Sequence, residues 1–400
     1  MKFCLFFVSI VSSLFFTISC SDDPPTAPDQ PITIIADSSD NLVTNIQNFY
    51  GGTGWDWGTA LQKSADNGFI ITGSTDSYGQ GKNTLYLVKT DSTGKKIWDK
   101  IYGGTGEDNG EQIVIADNGN YTIAGVTSSF TSSYDFYLLQ VDPDGDIVWE
   151  KSIGVDTLFE WGTDMVKLSD GYALCGYQIP AGGTDGGDFY MVRTNLSGDT
   201  LWTKTFNYPD REWAFAITAT SDNGFVLAGL KHYDGLNNVD AFIIKTDDTG
   251  KVLWEETYGG GGNEHLYGIE ETNDGNYAAC GSTRSMGIGN EELPYILKVD
   301  QTGTMLWEKA YGTSGNLHFR DMVENINGHL ILTGTLTSAK TGIVKTDFSG
   351  NLLWYDSLGL SGNGMAIIQL QDSMYAVTGF ARDSIVSGET DLLLMSIRER

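Results

Sequence analysis

Residues 66–75 read DNGFIITGST and residues 86–98 read YLVKTDSTGKKIW, and variants of both phrases recur along the chain. The second phrase is a turn followed by a strand that reaches a tryptophan. It occurs six times, with spacings of 47 to 53 residues, at Trp98, Trp149, Trp202, Trp254, Trp307 and Trp354. The first phrase contains a glycine that occurs seven times, at Gly73, Gly125, Gly176, Gly229, Gly281, Gly334 and Gly379. Seven glycines at a period of this length indicate seven structural repeats.

Each repeat contains four short apolar or alternating segments separated by turn residues. In the second repeat these predicted strands, named A to D, cover residues 112–115, 121–126, 135–141 and 147–152. The A–B turn reads DNG and the C–D turn reads DPDG, and both are typical of hairpins because Asn and Gly accept a positive φ. No helical periodicity of useful length is present. Four antiparallel strands in each of seven repeats predict an all-β fold, a seven-bladed β-propeller.

The two ends of the repeat region predict how the ring closes. The seventh repeat ends with a C strand at residues 392–397 and has no D strand. Residues 42–49 precede the first repeat and occupy the place of a D strand. We therefore expect the N-terminal strand to complete the last blade, which removes the exposed edges of an open ring. The propeller is predicted to cover residues 41–400.

Composition agrees with one large β domain and excludes several classes of protein. The 400 residues include 50 glycines, 12% aromatic and 40% hydrophobic residues, but only 19% charged residues. These proportions are typical of many short strands joined by tight turns, and they exclude wholesale disorder. Lys and Arg number 24 against 52 Asp and Glu, which gives a net charge of -28. Such an acidic surface repels phosphate backbones and excludes nucleic acid as a partner, whereas it suits cations or neutral ligands such as sugars.

The N-terminal region has the features of an exported and lipid-anchored protein. Residues 1–19 are a predicted lipoprotein signal peptide, because Lys2 precedes an apolar run that is short for a membrane span and ends at Cys20. Cys20 is the predicted lipidated residue, and an ordinary signal peptide with a chance cysteine is the alternative. Residues 20–40 are a predicted extended tether, which holds half of the eight prolines of the chain. Residues 16–20, which read FTISC, resemble a bacterial lipoprotein lipobox, and this resemblance implies a lipid-anchored protein of the outer membrane.

The repeat resembles those of bacterial and archaeal cell-surface β-propeller lipoproteins in its YGGTG, DNGFIITGST and YLVKTDSTGKKIW phrases over residues 41–400. Residues 21–23, which read SDD directly after Cys20, are similar to the acidic export signal of Bacteroidota-type surface lipoproteins. The resemblance implies the propeller fold, a lipid anchor and exposure at the cell surface, and it implies no particular activity. The TGKxxW part is also similar to quinoprotein propeller repeats, but no matching set of cofactor ligands is present in the sequence.

Candidate site residues fall on one face of the predicted ring. The D–A and B–C loops share this face, and loops on a rigid scaffold commonly carry binding sites. One loop position holds an acid in five repeats, and the series breaks at Leu317 and near Asn363; the acids are Asp56, Asp108, Glu160, Glu212 and Glu264. The next position holds Trp57, Asn109, Trp161, Trp213, His265, His318 and a glycine near Gly364.

Two interpretations of this series stay open. In the first, strand A is innermost, and acids and aromatic rings surround the channel mouth as a ligand-binding site. Trp faces then stack on sugar rings, and carboxylates bind hydroxyl groups or Ca²⁺. In the second, each acid caps backbone N–H groups of its own loop and each Trp packs between blades. The second is favoured by the repetition itself, because a feature shared by five blades is typical of architecture.

Two further groups of residues have the chemistry of metal ligands. His265 and His318 occupy equivalent places in neighbouring repeats, and with Glu264 they could bind a transition metal. The DPDGD stretch contains three carboxylates that could bind Ca²⁺, and a hairpin turn explains them at least as well; they belong to Asp142, Asp144 and Asp146. No other cofactor is expected.

Recognised catalytic motifs are absent from the sequence. It contains no GxSxG, HExxH or Walker motif. Cys175 and Cys280 each precede a repeat glycine and are expected to be small buried residues, not a disulfide or a metal pair. A hydrolase with paired carboxylates stays open, because 52 acids make some pair inevitable.

The first functional hypothesis is a surface lipoprotein whose propeller is a non-catalytic binding or scaffold module. Its partner would be a glycan or a protein, bound through the D–A and B–C loops. The alternative is a hydrolase or lyase that acts on polysaccharide with acids at the channel mouth, such as Glu160 or Glu212. A scaffold subunit of an envelope complex is the third hypothesis. In each case the lipid anchor makes the membrane a partner, and the propeller itself is expected to be monomeric.

Overall fold

The computed structural model describes residues 41–400 except 80–82, 181–186, 234–237, 288–290, 313, 314, 316, 337, 338 and 383–388. The predicted signal peptide, the lipidation site at Cys20 and the tether lie outside the described residues. The described residues form 28 β-strands in seven four-stranded antiparallel sheets. Among them, no helix is long and apolar enough to cross a membrane.

Each sheet is one blade, and its strands follow the chain from the inner strand A to the outer strand D. Blade 1 contains β2 (Asp56–Lys63), β3 (Phe69–Thr75), β4 (Thr84–Thr90) and β5 (Lys96–Tyr102). Blade 2 contains β6 (Asp108–Ile115), β7 (Tyr121–Thr127), β8 (Asp135–Val141) and β9 (Ile147–Ile153). Blade 3 contains β10 (Leu158–Leu168), β11 (Gly171–Pro180), β12 (Asp188–Asn195) and β13 (Thr200–Phe206). Blade 4 contains β14 (Arg211–Ala219), β15 (Phe225–His232), β16 (Val239–Thr246) and β17 (Val252–Tyr258).

The remaining three blades follow the same order, and the last one takes its outer strand from the N-terminal side. Blade 5 contains β18 (Glu264–Glu271), β19 (Tyr277–Thr283), β20 (Leu293–Val299) and β21 (Met305–Ala310). Blade 6 contains β22 (His318–Glu324), β23 (Leu330–Leu336), β24 (Lys340–Thr346) and β25 (Leu352–Asp356). Blade 7 contains β26 (Gly362–Gln371), β27 (Met374–Ala381), β28 (Asp391–Glu399) and β1 (Leu42–Tyr50).

The blades form a closed ring around a central channel. Each A strand contacts the A strands of the blades on either side, and β26 of blade 7 contacts β2 of blade 1. The seven A strands are therefore innermost. This arrangement confirms the predicted seven-bladed β-propeller.

Strand β1 closes the ring, as the sequence predicts, by pairing antiparallel with β28 along its whole length. The Tyr50 hydroxyl donates to the carbonyl of Gly94, in the C–D turn of blade 1, at 2.5 Å. The side-chain amide of Asn48 donates to the same carbonyl at 2.8 Å. The same tyrosine-to-glycine bond joins interior blades at Tyr102 to Gly145, Tyr258 to Gly303 and Tyr311 to Gly350. The junction between blade 7 and blade 1 is therefore stabilised by the same hydrogen bond that joins neighbouring blades elsewhere in the ring.

The hydrophobic core lies between the faces of neighbouring blades. Strands β3 and β4 are buried along their whole length, whereas the outer strand β5 exposes much of its surface. Cys175 and Cys280 are fully buried in this core and carry free thiols. The expectation that they are small buried residues, not a disulfide, is confirmed.

Every A strand contains a bulge, and the repeat glycine of strand B lies opposite its start. In blade 1 the register shifts between Gly58 and Ala60, and Gly73 pairs with Gly58. A Cβ on Gly73 would lie 1.9 Å from the carbonyl oxygen of Trp57, so no larger residue fits there. The bulge leaves one extra residue in each A strand, namely Thr59, Glu111, Thr163, Phe215, Tyr267, Arg320 and Met365. These seven side chains are called the bulge residues below.

Candidate binding site in the central channel

All seven bulge residues line one cavity of about 420 Å³ in the channel. The bulge turns the extra side chain of each inner strand toward the axis of the ring. Unlike the loop acids, these seven side chains differ from blade to blade: two hydroxyls, one carboxylate, two aromatic rings, one guanidinium and one thioether. The cavity is therefore asymmetric, as a site that orients a ligand must be.

The five predicted acids do not line this cavity and lie at or near the first residue of their A strands. The Asp56 carboxylate is fully buried and accepts hydrogen bonds from the Gly52 N–H at 2.9 Å and from the Ser77 hydroxyl at 2.6 Å. Asp108 and Glu264 make the equivalent bonds in blades 2 and 5, to their own loop N–H groups and hydroxyls. These three carboxylates therefore cap backbone N–H groups of their own loops. Their predicted part in ligand binding stays a prediction.

Glu160 and Glu212 are also buried, but they have different partners. Gln178 donates to the Glu160 carboxylate at 3.1 Å, and the Val155 N–H donates to it at 3.3 Å. Glu212 forms an ion pair of 3.0 Å with Lys231. Burial raises the pKa of Glu160 and the pKa of Glu212 to about 7 each, although the hydrogen bonds and the lysine act in the opposite direction.

The aromatic residues of blades 3 to 5 form one surface along the mouth and wall of the cavity. Phe159 stacks on Trp161 with ring centres 5.8 Å apart, and Tyr177 stacks on Trp213 at 5.3 Å. Phe159 and Tyr177 connect these two pairs at 6.5 Å. Phe215 and Tyr267, with ring centres 5.5 Å apart, line the same cavity as Trp161 and Tyr177. These six half-buried rings are called the aromatic arc; they are Phe159, Trp161, Tyr177, Trp213, Phe215 and Tyr267.

Of the predicted aromatic positions, only those of blades 3 and 4 belong to the arc. Trp57 does not line the cavity, and Asn109 is buried, where it accepts a hydrogen bond from Ser74 at 2.8 Å. In blade 7 the predicted position of this repeat residue is wrong by one residue. Gly364 pairs with the repeat glycine Gly379, so Asn363 holds the position that was placed near Gly364.

His265 and His318 lie on either side of Tyr267, with ring centres 6.0 and 5.9 Å from its ring. A ring nitrogen of His318 is 3.1 Å from the side-chain amide of Asn363. Burial lowers the pKa of His265 and lowers the pKa of His318 to about 4, so both are neutral at pH 7. The Glu264 carboxylate is bonded to its own loop. Among the described residues no three His, Cys, Asp or Glu side chains group as metal ligands.

The predicted Ca²⁺ ligands of blade 2 form a hairpin turn. The Asp142 carboxylate accepts from the N–H groups of Asp144 at 3.0 Å and Asp146 at 2.9 Å. Asp146 forms an ion pair with Lys100 at 2.8 Å. These contacts support the hairpin interpretation of the DPDGD stretch, and Ca²⁺ binding stays a prediction.

Four carboxyl groups and one guanidinium lie in the cavity, and none of them was predicted from the sequence. Burial raises the pKa of Glu111 and the pKa of Glu270 to about 8, the pKa of Asp321 to about 7 and the pKa of Asp164 to about 6. The fifth group is Arg320, whose guanidinium carbon lies 4.2 Å from the ring centre of Tyr267. The cavity therefore combines protonatable acids, one permanent cation and the aromatic arc.

Three of these acids connect neighbouring blades, and one of them is Glu270 of blade 5, which accepts from the Glu324 N–H of blade 6 at 3.1 Å. Asp164 of blade 3 accepts from the Ile217 N–H of blade 4 at 2.9 Å, and Asp321 of blade 6 accepts from the Ile367 N–H of blade 7 at 2.8 Å. Glu111 has no hydrogen bond or ion pair within the described part of the chain. The repeat glycine could have revealed Glu111, because it marks where the bulge lies in each repeat. The bulge residue comes two positions after the aromatic position.

Comparison with known proteins supports the fold alone. No family model matches the chain, and no curated protein matches it. The WD40 domain of Pan2 from Neurospora crassa superposes with a TM-score of 0.57 and 10% identity, over 92% of this chain and 97% of that one. A protein of unknown function from Dyadobacter fermentans superposes with a TM-score of 0.52 and 11% identity, over 90% of this chain and 100% of that one. An alpha-L-arabinanase from Penicillium chrysogenum, at 10% identity, covers 90% of this chain and 98% of its own, with a TM-score of 0.49 that carries no argument about activity. The class of protein is thus the seven-bladed β-propeller.

Proposed function

We propose that this protein is a cell-surface lipoprotein whose propeller binds a glycan at the aromatic arc. The observation that carries this proposal is the arc itself, which is half-buried and opens into a cavity of about 420 Å³. Aromatic rings that line a cavity offer flat apolar surface to the C–H faces of sugar rings. The hydroxyl and carboxyl groups among the bulge residues supply the few polar contacts that fix a ligand's orientation.

The position where the chain enters the propeller is consistent with a lipid anchor at Cys20. Asn41 accepts a hydrogen bond from the Arg400 N–H at 3.0 Å, and the neighbouring Glu399 N–H donates to Ser373, in the A–B turn of blade 7, at 2.8 Å. The chain therefore enters on the face of the tight turns, opposite the D–A and B–C loops. A tether from a lipidated Cys20 would join this face and leave the aromatic arc directed away from the membrane.

A polysaccharide hydrolase or lyase is the second candidate, and the cavity acids favour it. A general acid for glycoside cleavage has to be protonated near neutral pH, and the pKa of Glu111 and the pKa of Glu270 are both raised to about 8 by burial. Release of new reducing ends that is lost in Glu270→Gln or Glu111→Gln would establish this activity. Binding without release of reducing ends would support the non-catalytic module.

The proposal is tested by measuring affinity for a panel of defined oligosaccharides, using the full propeller. We expect Trp161→Ala and Tyr177→Ala to weaken binding of any recognised oligosaccharide, because each removes a ring from the arc. Trp55→Ala is the matched control, since Trp55 is 45% exposed on the loop face and does not line the cavity. Binding that survives both arc substitutions would refute the arc as the site, and no binding to any member of the panel would refute the glycan proposal.

A further inference from the structure

Arg320 is the one charge in the cavity that cannot be neutralised by proton transfer. A guanidinium keeps its proton at any physiological pH, whereas carboxyl groups in a poorly solvated site take the neutral form instead. The guanidinium carbon of Arg320 lies 4.2 Å from the centre of the Tyr267 ring, and the Arg320 side chain lines the cavity beside the aromatic arc.

The Arg320 guanidinium has no counterion among the described residues. Among the described residues no carboxylate lies within ion-pair distance of Arg320, and its buried Nε atom has no hydrogen-bond acceptor. Arg320 is half-buried, and proteins normally pair a cation that is partly removed from water. Arg320 is therefore an unpartnered polar group in a cavity that is large enough for a ligand.

The cavity acids do not serve as its counterions. Asp164 and Asp321 are committed to N–H groups of neighbouring blades. Glu270 accepts from the Glu324 N–H at 3.1 Å. Glu111 stands three blades away around the ring of seven, and burial raises its pKa more strongly than Arg320 lowers it. The guanidinium is thus a fixed positive charge without an ion-pair partner, inside a protein whose overall charge is -28.

We infer that the glycan bound by the aromatic arc carries an anionic group, a carboxylate or a sulfate ester, which Arg320 binds inside the channel. This inference rests on the proposed function and names its ligand class. The fork of guanidinium N–H groups matches the two oxygens of either anion. The sugar ring that carries the anion stacks on Tyr267 or Phe215, and the protonated carboxyl groups of the cavity donate to its hydroxyls.

The test compares three probes by titration calorimetry on the full propeller. Tetragalacturonate carries carboxylates only, its methyl ester is neutral and otherwise the same, and a kappa-carrageenan tetrasaccharide carries sulfate esters only. We expect one of the charged probes to bind at least tenfold more tightly than the neutral ester. Arg320→Gln should abolish this preference, with a loss of about 10- to 100-fold for the charged probe and none for the neutral one. Arg398→Gln is the control, because it also removes one positive charge but does so at an exposed arginine on the face of the tight turns.

Two further variants keep the test decisive if Arg320→Gln does not fold. Arg320→Lys keeps the charge but loses the fork, and it should retain only part of the preference. Glu111→Gln removes a cavity carboxyl group that forms no ion pair with Arg320, and it should leave the preference intact or increase it. Equal binding of charged and neutral probes, both weakened by Trp161→Ala, would overturn the inference and leave the proposed function standing. Failure of all three probes, together with the neutral panel, would refute both.

Discussion

The hydrogen bond between Tyr50 and Gly94 provides the sharpest test of how the ring closes. We predict that Tyr50→Phe destabilises the propeller by about 0.5–1.5 kcal/mol, the net value of a typical internal hydrogen bond. The loss stays in this range because Asn48 donates to the same carbonyl at 2.8 Å, so the buried acceptor keeps one partner. Tyr102→Phe, which breaks the equivalent bond inside the ring, should cost more, about 1–3 kcal/mol, since Gly145 receives no second side-chain donor among the described residues.

The measurement is urea unfolding followed by tryptophan fluorescence, with the slope of the transition compared between variants. The double variant Asn48→Ala with Tyr50→Phe should lose as much stability as Tyr102→Phe, because the Gly94 carbonyl then has no side-chain donor. The closure of the ring by β1 would be wrong if Tyr50→Phe and the double variant both unfold like the wild type while Tyr102→Phe is destabilised. That result would show that β1 does not pack on the ring in solution.

Three other predictions follow from buried groups. Asp108→Ala should destabilise the fold by about 1.5–3 kcal/mol in urea unfolding, because the Gly104 N–H and two hydroxyls lose a charged acceptor; an unchanged midpoint would contradict the capping role. The pKa of Glu111 is raised from 4.5 to about 8 in the folded state, so its contribution to stability is lost as pH rises from 4.5 towards 8. Glu111→Gln should therefore be increasingly stabilised relative to wild type across that window, and a constant difference would show that Glu111 titrates normally. Burial raises the pKa of Cys175 and the pKa of Cys280 well above the usual thiol value, so neither should react with a thiol reagent before unfolding; reaction in the native state would show that the blades open.

The sequence predicted the fold well because each of its signals acts locally. The turn phrases specify hairpins whatever surrounds them, as the Asp91 carboxylate shows by accepting the Thr93 and Lys95 N–H groups of its own C–D turn. The site was predicted less well. The acid at Asp56 was conspicuous because it repeats in five blades, and in blades 1, 2 and 5 it caps the same N–H group of its loop. The cavity residues Glu111 and Arg320 were overlooked, since each residue type occurs only once at the bulge position, and the repeat glycine that marks this position lies in the next strand.

The sequence by itself therefore determined the number of blades, the strands within each blade and the closure by β1, because all three follow from repeated local patterns and from a missing last strand. Only the tertiary structure decided what the channel contains. A bulge in each A strand turns one variable residue toward the axis, and ring closure brings residues more than 200 positions apart, such as Glu111 and Arg320, into one cavity. Burial in that shared space, and not sequence proximity, sets their charges and gives the asymmetric site on which the proposed glycan recognition depends.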